Sequence, residues 1–157
     1  GDFSAWRREH EITDAEPDTE PVEYESSQVA SDAPIVDREA VEAAIENGET
    51  TLIDTREAWE YDESHLPGAI RLDWMELVDE GTRGVKSPSE IESLLADRGI
   101  DTDRERRIIL YCNTSRRLSH TFVVLRSLGF ENVAVYEGSM TEWTDAGGAV
   151  TAGESSD

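Results

Sequence analysis

A chain of 157 residues is long enough for one domain with its own core and too short for two of ordinary size. Its 36 acidic residues against 14 basic ones give a net charge of -22, which sets the surface against nucleic acid and anionic membranes, since either would approach like charge. A single cysteine excludes an internal disulfide and suits the reducing cytosol, the expected compartment, and no apolar run approaches the roughly 20 residues of a membrane-spanning helix.

Residues 1–33 are acidic and poorly periodic, and Pro17, Pro21 and Pro34 with the run from Asp14 to Glu25 read as a linker. The opening Gly1-Asp2-Phe3-Ser4-Ala5-Trp6 has the same form as Gly138-Ser139-Met140-Thr141-Glu142-Trp143: glycine, any residue, large apolar, hydroxyl, any residue, tryptophan. If the second copy closes a domain, the first reads as the closing piece of a preceding repeat. With no initiator methionine, the natural protein is expected to be longer at its amino end.

From residue 34 the pattern changes. Asp37 caps a predicted helix with Val41, Ala44 and Ile45 on its apolar stripe, Val36 stapling onto Val41 and Gly48 ending it. A short strand at Thr51 to Ile53 follows, then one or two helical turns at Glu57 to Tyr61, a turn at Leu66-Pro67-Gly68 and a strand at Ala69 to Leu72. Ser87-Pro88-Ser89-Glu90 combines a cap, a proline at the first helical position and a glutamate three residues on, so a helix runs through Ile91, Leu94 and Leu95 to Gly99. The remaining elements are a strand at Ile108 to Tyr111, a helix from about Arg116 to Leu128, a strand at Val133 to Tyr136 and a last helix near Thr141 to Asp145. Strands alternating with helices imply an α/β fold with a mostly parallel sheet and helices on both faces. A domain spanning 34–152 and a flexible tail at 153–157 complete the expected organisation.

Cys112 stands where the buried strand runs out and a helix begins, the place where open α/β sheets bind ligands. Asn113, Thr114 and Ser115 are small and polar, so their amides can curl into an anion-binding nest at a positive helix end, and Arg116 and Arg117 add full charges. A lone cysteine is more often an inert core residue. Two arginines directly after a small polar loop are costly in a core but sensible beside a thiolate or an anionic donor, which favours a reactive Cys112. His10 and His120 lack ligand spacing with Cys112, so no metal site is expected. Trp59, Trp74 and Trp143 read as core or pocket wall.

These residues resemble the rhodanese family, whose active-site loop starts with cysteine at a strand end and commonly has arginine five positions later, as Arg117 is here. Leu52-Ile53-Asp54-Thr55-Arg56-Glu57 followed by His65-Leu66-Pro67-Gly68-Ala69 looks like the family's first signature, and the stretch Gly138 to Trp143 like its closing one. The resemblance covers about residues 35 to 150. It is closest to the second half of tandem sulfurtransferases in Lys86 to Asp101 and Tyr136 to Ser139, which agrees with reading Gly1 to Trp6 as a remnant of a first repeat. It implies a rhodanese-like fold and places His65 in a structural turn, the alternative for His65 being a general base; Asp54 and Arg56 read as a supporting framework ion pair near the loop, the alternative being that Arg56 faces substrate. Three positions depart from the family pattern: Ser115 where glycine is frequent, Ser64 where glycine often precedes the histidine, and Asn113 where thiosulfate-type loops often carry a cation.

The resemblance implies double displacement. The Cys112 thiolate takes the sulfane sulfur from a donor such as thiosulfate, and cyanide or a thiol acceptor then removes it, with loop amides and Arg117, joined by Arg116, stabilising the anions. No cofactor is required, and the partners are the small-molecule donor and acceptor together with a second rhodanese-like repeat. The alternative is a non-catalytic persulfide carrier or regulatory module on the same fold. A phosphatase loop would need arginine six positions after the cysteine, where Leu118 stands. Finally, Lys86 is the only lysine, and lysine depletion with acid excess is the pattern of salt-adapted proteins. A charge of -22 repels itself less when the Debye length shrinks to roughly 3 Å at 1 M salt, so stability is expected to rise with salt.

Overall fold

In chain order the elements are β1 (Ile35–Val36), α1 (Arg38–Asn47), β2 (Thr51–Asp54), α2 (Ala58–Glu63), β3 (Ile70–Arg71), α3 (Pro88–Asp97), β4 (Ile108–Tyr111), α4 (Leu118–Ser127), β5 (Val133–Tyr136) and α5 (Ser139–Asp145). A 3-10 turn at Trp74–Leu77 follows β3. These come from a computed structural model, which describes residues 34–153. The expected linker, the Gly1 to Trp6 echo, His10 and residues 154–157 lie outside the described residues.

The strands pair in parallel in the order β1-β5-β4-β2-β3. Parallel pairing demands a crossover after each strand and buries both sheet faces, which is why β4 is apolar at every position. Side chains alternate between the faces. Ile108, Leu110 and Cys112 enter a cluster with Ile91, Leu95 and Leu125 of α3 and α4, while Ile109 and Tyr111 enter one with Val41 of α1 and Trp143 of α5. Burying each large aliphatic side chain contributes about 1.5–3 kcal/mol, so register is strongly specified. Cys112 continues the alternation of β4 one residue beyond the strand and so lands on the α4 side.

Local chemistry sets the helix ends. The Asp37 carboxylate accepts from the Ala40 amide at 3.0 Å, and Gly48 ends α1 at φ 64° with its amide on the Ala44 carbonyl. Ser87 and Glu90 form the reciprocal box that starts α3. α2 also starts with a capping box, between Glu57 and Glu60. The structure adds two elements to the expected list. β1 is two residues long and forms a strand because the edge of β5 offers it a partner, Ile35 opposite Val135 and Val36 opposite Tyr136. The 3-10 turn is held by the Asp73 carboxylate accepting from the Met75 amide.

The register aligns the carboxyl ends of β2 and β4, with Asp54 opposite Tyr111. That edge carries both the Asp54–Arg56 pair and Cys112.

Candidate active site

β2 ends in a closed polar knot. Asp54 is fully buried, and its carboxylate accepts from the Arg56 amide at 3.0 Å, from Arg56 Nε at 2.9 and 3.1 Å and from Nη2 at 2.6 Å. Arg56 Nη2 also donates to the Ser64 carbonyl at 2.6 Å. Burial opposes the Arg56 charge, but the hydrogen bond and field of Asp54 outweigh it and hold the guanidinium above its ordinary pKa. Between them, the Thr55 amide and hydroxyl both donate to the Tyr111 carbonyl, at 3.0 and 3.1 Å, tying the knot to the residue before Cys112. His65 stacks on Tyr61 with ring centroids 3.7 Å apart, its Nδ1 lies 2.8 Å from the Tyr61 carbonyl, and its backbone bridges to Thr151.

β4 ends in the opposite way. The Cys112 amide donates to Ser139 Oγ at 3.3 Å, and that hydroxyl donates on to the Tyr136 carbonyl at 2.9 Å. The Cys112 carbonyl accepts from the Met140 amide at 3.0 Å, and the Asn113 carbonyl from the Thr141 amide and hydroxyl at 3.3 and 2.9 Å. In a trans peptide the carbonyl of one residue and the amide of the next point in opposite directions. Holding the carbonyls of Cys112 and Asn113 against α5 therefore turns the amides of Asn113 and Thr114 away from it. Ser115 then adopts φ 58°, the left-handed turn that curls successive amides into a nest. None of the five backbone amides from Asn113 to Arg117 donates a hydrogen bond within the described residues.

Cys112 is 1% exposed and borders a cavity of about 430 Å³ lined also by Trp74, Asn113, Thr114, Arg116, Arg117 and His120. Arg117, at the start of α4, is gripped by Glu60 of α2: both of its terminal nitrogens meet a carboxylate oxygen, the Nη2 contact at 2.7 Å. The hydrogen bond from Arg117 holds Glu60 below the usual carboxylate range, and the same bond holds Arg117 above the usual guanidinium value. Arg116 is exposed, and its side chain makes no ion pair or hydrogen bond among the described residues. Across the cavity His120 meets the edge of Trp74 at 5.6 Å, and burial lowers its pKa.

Cys112, Asn113, Thr114, Arg116 and Arg117 thus share one cavity. Ser115 shapes the loop but faces a neighbouring recess with Phe122, while Asp54, Arg56 and His65 stay in the frame and do not line the Cys112 cavity. Leu118, where a phosphatase loop would carry arginine, is buried in the core. Sequence reasoning missed Glu60, whose place in a capping box gives no hint of Arg117, and Ser139, whose partner lies 27 positions away. His120 and Trp74 were visible only as residue types. Among the described residues no group of three or more histidine, cysteine or acidic side chains could hold a metal, and no helix is long and apolar enough to cross a membrane.

The model of the rhodanese-like domain matches residues 37–146. The chain is 45% identical over 87 residues to a putative thiosulfate sulfurtransferase 1 of Mycobacterium bovis, an overlap of 54% of this chain and 30% of the relative. It is 36% identical over 129 residues to a putative thiosulfate sulfurtransferase of Haloferax volcanii, covering 71% of this chain and 43% of the relative. The chain therefore spans between 30% and 43% of the length of these curated relatives. Its fold matches the human single-domain sulfurtransferase TSTD1 with a TM-score of 0.58 and 23% identity, over 72% of this chain and 96% of that one. With the family model covering β2 to β5, the Asp54–Arg56 frame and the Cys112 loop, the chain belongs to the family of rhodanese-like domains.

Proposed function

We propose that the protein is a sulfurtransferase that carries a sulfane sulfur on Cys112. The observation that carries this reading is the run of five amides, Asn113 to Arg117, that have no partner among the described residues and adjoin a cysteine at the carboxyl edge of the sheet. Such a nest stabilises a compact anion, and it is already organised before substrate arrives. The names of the curated relatives support the same activity.

The chemistry is a pair of displacements. The Cys112 thiolate attacks the outer sulfur of a donor such as thiosulfate, a sulfur–sulfur bond forms, and the donor's own sulfur–sulfur bond breaks with its electron pair leaving on sulfite. Cyanide or a thiolate then attacks the outer sulfur of the Cys112 persulfide, and the pair returns to the Cys112 sulfur. Kinetics are ping-pong. The loop amides hold the terminal persulfide sulfur, Arg116 and Arg117 supply charge, and Asp54, Arg56 and His65 serve the frame rather than the chemistry.

The wider setting belongs to the same proposal: a cytosolic, salt-adapted protein in which this domain follows a second rhodanese-like repeat. The charge of -22 with a single lysine supports salt adaptation, as does the relative from the halophilic archaeon Haloferax volcanii. A melting temperature that is flat or falls with potassium chloride would overturn that part.

The central test is mass spectrometry. Thiosulfate should add the mass of one sulfur atom to the wild type and none to Cys112→Ser, and cyanide should remove it. If no sulfane donor loads Cys112, while a phosphoester is hydrolysed through it, the assignment fails.

A further inference from the structure

The two adjacent arginines of the loop are not equivalent. Arg117 is engaged at both terminal nitrogens by Glu60, whose side chain is 8% exposed and also closes the capping box of α2. The carboxylate offsets part of the Arg117 charge, so the field that Arg117 presents to the cavity is weaker than that of an unpaired cation. Both arginines line the Cys112 cavity, but Arg116 is exposed and its side chain is free of ion pairs and hydrogen bonds among the described residues. On the facing wall, Trp74 carries no charge and burial holds His120 toward its neutral form.

We infer that Arg116, not Arg117, recognises the anionic end of the sulfur donor, and that Glu60 with Arg117 is a positioning strut that fixes the loop. The inference rests on the sulfurtransferase reading and adds which residue reads the donor: the leaving group is a compact oxyanion such as a sulfonate bonded to the sulfane sulfur, and Arg116 holds its oxygens. In a chain of charge -22 a bulk field draws no anion in, so recognition depends on this local cation. A guanidinium suits the task because its planar donors match a pair of oxyanion oxygens.

The test follows single-turnover loading of Cys112 by thiosulfate in the full chain, with discharge of the loaded protein to 2-mercaptoethanol, a neutral thiol, as a second readout. Arg116→Gln should raise the half-saturating thiosulfate concentration roughly 10-fold to 100-fold, the scale of one hydrogen bond to a charged group. The loading rate at saturation should change less, Arg116→Lys should restore part of the affinity, and discharge to the neutral thiol should slow by a smaller factor than loading at low thiosulfate. Glu60→Gln should instead slow loading at saturation, because the strut and not the recognition group is lost. The inference is overturned if Arg116→Gln keeps the wild-type half-saturation while Arg117→Gln raises it, since Arg117 would then be the recognition group. A wild-type protein that takes no sulfur from any donor overturns the sulfurtransferase reading itself, which is a distinguishable result.

Discussion

The carboxyl ends of β2 and β4 lie side by side in register, with Asp54 opposite Tyr111, yet they are finished in opposite ways. After β2, both Asp54 oxygens, the Thr55 hydroxyl, the Arg56 amide and the Arg56 guanidinium all find partners in the protein. After β4, five successive amides have none among the described residues, and Arg116 has no ion pair or hydrogen bond there beside the cavity. A parallel sheet offers the same backbone polarity at both strand ends. What decides brace or site is whether the chain spends its own side chains on those groups or leaves them for a ligand. The brace serves the site through Thr55, whose bonds to the Tyr111 carbonyl hold the last residue before Cys112.

The largest effect is expected at Asp54. Asp54→Ala leaves the Arg56 charge buried without its partner, with side-chain exposure of 5%, and should cost about 3–5 kcal/mol in urea unfolding. A loss below about 1 kcal/mol would mean that the knot is not a brace. Ser139→Ala should come next, at about 1–3 kcal/mol, because it removes the acceptor of the buried Cys112 amide and a donor to Tyr136. It should slow sulfur loading as well, since Ser139 sits behind the first residue of the loop; loss of stability with loading unchanged would separate the two.

Glu60→Gln sharpens the contrast through pH. Arg117 holds the Glu60 carboxyl low, so the native state binds fewer protons there than the unfolded chain. The stabilisation is fully present above the unfolded carboxylate value of about 4.3 and is lost as pH falls through the lower folded value. The stability gap between wild type and Glu60→Gln should therefore be largest near neutrality and narrow in acid, as read from urea midpoints at several pH values. A gap that does not narrow would place the stabilisation outside the ion pair.

The smallest effect is expected at Ser115. Its φ of 58° costs a side-chain-bearing residue about 1–2 kcal/mol, part of which glycine gives back as unfolded-chain entropy. Ser115→Gly should raise stability by about 0.5 kcal/mol while keeping the nest, so loading should remain near wild type. A measurable destabilisation would show that the Ser115 hydroxyl, 2.8 Å from the Thr114 carbonyl, matters more than the backbone strain.

The family frequently has glycine where Ser115 stands, and the left-handed turn forms here despite the substitution. The altered loop curvature that serine threatens is thus absorbed by conformation, and the cost stays local. The neutral Asn113 contributes its carbonyl to α5 and its amide to the nest, which leaves the supply of positive charge to the arginines behind it.

Much of this molecule was legible as a sequence because the responsible forces are local. The capped starts of α1 and α3, the glycine that ends α1, the apolar run of β4 and the place of Cys112 at its end all follow from neighbours within a few residues, where periodicity and capping leave a readable mark. β1 has no such mark: two residues become a strand only because β5 presents an edge. Glu60 and Arg117 are 57 positions apart, and Cys112 and Ser139 are 27 apart; no spacing rule connects them, and only the packing of α2 and α5 against the end of β4 brings them together. The place of Cys112 and its polar loop could be read from the chain alone, because local pattern sets both. Which arginine is tied down, which amides are left open and which walls enclose the cavity were decided by tertiary structure, because a side chain's partner depends on what the folded chain places beside it.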